Sequence, residues 1–87
     1  MLHCDPVGEV EVLRLGGDLL VVSAGAPAPP GTRVVLREGE GGAELVQGKV
    51  TSVVVVDTDA GRWELTLKLF APTRVAREIL VNAAAER

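Results

Sequence analysis

Eighty-seven residues make one small domain and exclude a second, since a chain of this size buries only about 60–65% of the surface its unfolded form exposes. With 47% apolar, 24% charged and 2% aromatic residues, the composition is that of a folded globular protein whose interior must be filled by Val, Leu and Ala. A formal net charge of −3 disfavours nucleic acid as a partner, and the single Cys4 excludes an intrachain disulfide and makes a reducing cytoplasm the default.

Residues 1–8 show no periodicity, and Pro6 and Gly8 predict a flexible N-terminal arm ahead of a single domain over residues 9–87. Glu9 to Leu15 starts as clean alternation and changes phase between Val12 and Leu13, the mark of a bulge or a strand end. Gly16-Gly17-Asp18 is a turn, and Leu19 to Ser23 returns as a short apolar strand, completing a hairpin. Ala24 to Gly31, with Pro27, Pro29 and Pro30, is a connecting loop. Thr32 to Glu38 alternates again and ends at Gly39-Glu40-Gly41-Gly42. Ala43 to Asp57 is too long for one ordinary strand, and Gly48 in its middle predicts a bend or bulge there.

Asp57 to Gly61 makes a tight turn into the clearest element, Arg62 to Phe70, where Trp63, Leu65, Leu67 and Leu69 share one face. This strand carries both aromatic residues, Trp63 and Phe70, and is expected to anchor the core. Beyond Pro72, Val75, Ala76, Ile79, Leu80 and Ala83 fall at helical spacing, with Thr73 as N-cap, which predicts a helix over about residues 73–86. Short strands separated by turns, followed by one amphipathic helix, define a mainly β chain: a small antiparallel β-barrel with a C-terminal α-helix packed on it.

The succession Asp18-Leu-Leu-Val-Val22, Pro30-Gly-Thr-Arg-Val-Val-Leu36, Gly48-Lys-Val50 and Trp63-Glu-Leu-Thr-Leu-Lys-Leu-Phe70, followed by Arg77-Glu-Ile-Leu80, resembles a PilZ domain, a bacterial split barrel with a C-terminal helix. The resemblance implies a bacterial cytoplasmic protein in motility, pilus function or second-messenger signalling. In that family, cyclic di-GMP is held by an RxxxR stretch before the first strand and a D/N-x-S-x-x-G stretch between the first two. Here residues 1–8 contain no Arg, and the second position reads Arg14-Leu-Gly-Gly-Asp-Leu19, where only the turn survives. No residue of that arm offers the planar guanidinium that pairs bidentately with phosphate while stacking on guanine. Cyclic di-GMP binding in the usual mode is therefore not expected, and Arg14 and Asp18 are left as the residues at the degenerate ligand position, Arg14 as an exposed cation beside Glu11 and Asp18.

Other chemistry is sparse. His3-Cys4-Asp5 holds three potential metal ligands, but no other His or Cys completes a tetrahedral site, and neither a metal nor a cofactor is expected. Ser23, Thr51 and Ser52 lack a histidine within the folded body, so an enzyme is not expected. No secretory pattern precedes the domain and no apolar run approaches the ~20 residues that span a bilayer, so the chain reads as soluble, with no membrane insertion.

Val53-Val54-Val55-Val56 is apolar at both parities, so one pair must face away from the interior. Either the helix or a loop covers that pair, or the run, extended by Val35 and Val46, forms a contact surface for another protein or a second copy of the chain. The leading reading is a PilZ-like protein-interaction or adaptor module. A cyclic di-GMP receptor with a non-standard site and an unrelated SH3-like assembly module are the alternatives.

Overall fold

A computed structural model describes residues 2–85 of the chain. Six antiparallel strands close into a barrel in the order β1-β2-β3-β6-β5-β4. They are β1 (Leu2–Asp5), β2 (Gly8–Gly16), β3 (Leu19–Ala24), β4 (Arg33–Arg37), β5 (Glu44–Asp57) and β6 (Arg62–Phe70), followed by helix α1 (Arg74–Ala85). The core is aliphatic. Leu20, Leu36, Leu65, Leu67 and Leu80 are fully buried, and burial of each such side chain contributes about 1.5–3 kcal/mol.

Residues 2–5 are not the flexible arm expected over residues 1–8. Leu2–Asp5 is a strand that pairs with β2 on one side and β4 on the other and so closes the barrel. Leu2 and Cys4 point into the core, and His3 and Asp5 point outward. Met1 lies outside the described residues. The phase change in β2 is a bulge between Val12 and Arg14.

β5 is one continuous strand of 14 residues, and its irregularities are not at Gly48, as expected, but between Val50 and Ser52 and between Val55 and Asp57. Gly48 answers a different need. It is paired on both sides, to Val34 and Leu69, and a Cβ there would meet the Lys68 carbonyl oxygen at 2.5 Å. Only a residue without a side chain permits that approach.

β6 has the predicted limits and inward face, with Leu65, Leu67 and Leu69 buried. Of the two aromatic residues, Trp63 packs against the core without being fully buried, and Phe70 is not part of the core. Trp63 and Phe70 are both half-buried at the strand's ends, and Phe70 lies on the outer face beneath the Arg33 guanidinium, 5.5 Å from its ring centroid. The Thr73 hydroxyl accepts from the Ala76 amide (3.1 Å) and caps α1, which packs on β2 through Ala76 and Leu80. Val75, placed on the apolar stripe by spacing, is exposed; residue 86, the predicted helix end, lies outside the described residues.

Candidate functional site

The register of β5 and β6 settles the orientation of the valine run. Val53 stands opposite Leu65 on the inner face and is half-buried, whereas Val54 stands opposite Glu64 on the outer face and is 56% exposed. Val55 has inward parity opposite Trp63, yet it is 49% exposed on the side of β5 that β4 does not reach. Val56 sits in the second bulge and is 64% exposed. Neither α1 nor a loop covers the run: the helix packs on β2 and is tied to the β2–β3 turn, at the opposite end of β6.

The edge of β5 is also open there. β4 pairs with β5 only as far as Lys49, and Val50 exchanges backbone hydrogen bonds with Gly31 and Thr32 (2.7 and 2.9 Å). From Thr51 to Asp57 the strand is paired to β6 alone among the described residues. β5 therefore runs past β4 with apolar side chains on both faces and one row of backbone donors and acceptors unmet by the described residues, while β6 stays paired to β3 as far as Trp63. Such an edge is a template for a further strand.

The two residues proposed to extend this patch do not do so. Val46 is a core residue at 5% exposure. Val35 is half-buried on the outer face between Asp5 and Gln47, and Gln47 lies roughly 20 Å along β5 from Val54 at ordinary strand rise.

The fold does not bring Arg14 and Asp18 together. Arg14 projects from the outer face of β2, after the bulge, toward Glu64 (3.4 Å) and not toward Asp18, and that exposed pair contributes little. Asp18 instead holds α1: its carboxylate accepts from Arg77 Nη2 (2.6 Å), Arg77 Nη1 donates to the Gly17 carbonyl (2.8 Å), and the Asp18 carbonyl accepts from Leu69 N–H (2.8 Å).

In β1, Asp5 is clamped by His3 Nε2 at 2.7 Å and by Arg37 Nε at 3.0 Å. The Arg37 hydrogen bond, and then that of His3, hold its carboxyl below the usual carboxylate range. Cys4 points the other way, and burial, with the nearby Asp5 charge second, pushes its thiol up to about 12, which leaves it without nucleophilic character at neutral pH. Among the described residues no three His, Cys, Asp or Glu side chains gather as a metal site, and no helix is long and apolar enough to cross a membrane.

The linear sequence hid one arrangement. Arg33, Lys49 and Lys68 are direct cross-strand neighbours on the outer face of β4, β5 and β6, and the row ends at the exposed Leu19 of β3. All three cations are exposed, and none forms an ion pair with a described residue. Like charges directly opposite one another are destabilising, so the row costs stability unless an anionic group meets it. The row ends beside the open edge, because Arg33 begins β4 and Lys49 immediately precedes Val50.

No family model, curated protein or solved structure matches this chain.

Proposed function

We propose that this domain is a non-enzymatic protein-interaction module that works through the open edge of β5 beyond Val50. The observation that carries the reading is the coincidence, over Thr51–Asp57, of an open strand edge with valines exposed on both faces. Exposed apolar surface on a small domain commonly marks an association site, and an edge with unmet backbone groups adds directional hydrogen bonding to it. The resemblance to PilZ domains favours a place in bacterial motility, pilus function or second-messenger signalling in the cytoplasm. The reading does not include cyclic di-GMP as a ligand in the usual mode: residues 1–8 carry no Arg, and the Asp18 carboxylate accepts a hydrogen bond from Arg77 of α1.

Affinity capture from an extract of the source cell, with Val54→Lys and Val56→Lys as controls of verified fold, tests this reading. A protein held by the parent chain and lost from both variants supports it; equal capture by all three overturns it. Calorimetric titration with cyclic di-GMP is expected to give no binding, and micromolar binding lost in Arg14→Ala would establish the receptor alternative.

A further inference from the structure

We infer that the open edge of β5 takes a second copy of the same chain, antiparallel and related by a two-fold axis at Val54. The inference rests on the interaction reading above and specifies its partner. A strand added to this edge runs antiparallel to β5 and in line with β4, and the segment available is Thr51–Asp57, whose midpoint is Val54. With the axis there, Val54 faces Val54 of the second copy, Val53 and Val55 face each other twice, and Thr51 faces Asp57. Because the run is apolar at both parities, valines meet on both sheet faces, where cross-strand β-branched pairs add to the ladder.

Charge selects the second copy over an arbitrary apolar strand. The open segment of β5 is flanked by cations on one side, Lys49 beside Arg33, and by acids on the other, Asp57 with Asp59 in the following turn. Antiparallel pairing brings the acidic end of each copy to the cationic end of the other. The two-fold axis makes this happen twice, as an isologous interface requires. The unneutralised row thus receives carboxylates from the second copy's Asp57 and Asp59. The segment also lacks the Lys and Pro that usually block an edge; its bulges at Thr51 and Val56 bracket a regular stretch, Ser52–Val55. One short ladder buries less than a standard interface, so the dimer is a weak one, with a dissociation constant of about 10–100 μM.

Sedimentation of the full chain across a concentration series, combined with two sets of variants, tests this. The parent is expected to pass from monomer to dimer. Val54→Cys is expected to form an interchain disulfide under mild oxidation, whereas Leu19→Cys, on β3 beyond β6 from the open edge, does not; Cys4 is buried in both. Lys49→Asp and Asp59→Lys should each weaken association about tenfold, and the double variant should restore it, because the exchanged charges again meet their opposites; Asp57 is left in place because its carboxylate accepts from the Asp59 and Ala60 amides in the turn. A parent that stays monomeric, equal cross-linking of the two cysteine variants, or failure of the double variant to recover overturns the inference. A monomeric parent that nevertheless loses a captured protein on Val54→Lys overturns self-pairing while the interaction reading stands. Val54→Cys keeps the test decisive if a charged variant fails to fold, since it replaces an exposed side chain with a smaller one.

Discussion

Gly48 of β5 lies so close to Lys68 of β6 that a Cβ added to it would stand 2.5 Å from the Lys68 carbonyl oxygen. The obstructing atom is backbone in the centre of a ladder and cannot swing aside. Gly48→Ala should therefore destabilise the barrel by about 2–3 kcal/mol, far more than a glycine-to-alanine change at an open strand position. Urea denaturation measures this, and a variant as stable as the parent would mean that β5 and β6 do not approach in this way.

The exposed valines should contribute little to folding. Leu65→Ala and Leu20→Ala remove fully buried side chains and should each cost about 2–5 kcal/mol, whereas Val54→Ala should fall within about 0.5 kcal/mol of the parent in dilute solution. Denaturation midpoints of the three variants check the contrast. A large loss at Val54 would place it in the core.

Much of this fold was legible where alternation ran long enough to establish a phase. β6 has its predicted limits, and the slip between Val12 and Leu13 marks a bulge. β1 was not legible: four residues, two of them His3 and Cys4, cannot display a period, and the strand exists because β2 and β4 lie ready to pair with it. Gly48 was conspicuous, but a glycine in a strand signals bend and close approach alike, and only the register distinguishes them. The valine run announced an uncovered face, yet its orientation depends on two bulges. The row of Arg33, Lys49 and Lys68 has no sequence signal, because register alone brings together residues 16 and 19 positions apart.

Arg77 ties α1 to the β2–β3 turn through Asp18 and the Gly17 carbonyl. Both side chains are partly exposed, so Arg77→Ala should cost only about 0.5–1 kcal/mol, and Asp18→Ala less, since the Asp18 carbonyl keeps its bond to Leu69. A double-mutant cycle by thermal denaturation should give a favourable coupling of about 0.2–1 kcal/mol. A zero coupling would show that the bridge does not hold the helix.

Asp5 predicts an acid-side effect. Its folded-state pKa is lowered by Arg37 and His3, so its contribution is complete above the unfolded carboxylate value and is lost as pH falls through the depressed folded value. Asp5→Asn should flatten the stability profile in that acid window. Chemical denaturation from pH 7 down to about pH 2 measures it. An unchanged acid limb would separate Asp5 from the clamp.

Pairing of the β5 edge beyond Val50 with a second copy of the chain is tested most directly by amide hydrogen exchange at Thr51–Asp57 as a function of protein concentration. The amides of this segment that face away from β6 should exchange freely in dilute protein and gain protection as concentration rises. In Val54→Lys they should remain unprotected at every concentration. Protection that is the same in dilute and concentrated protein, and the same in Val54→Lys, would contradict the account.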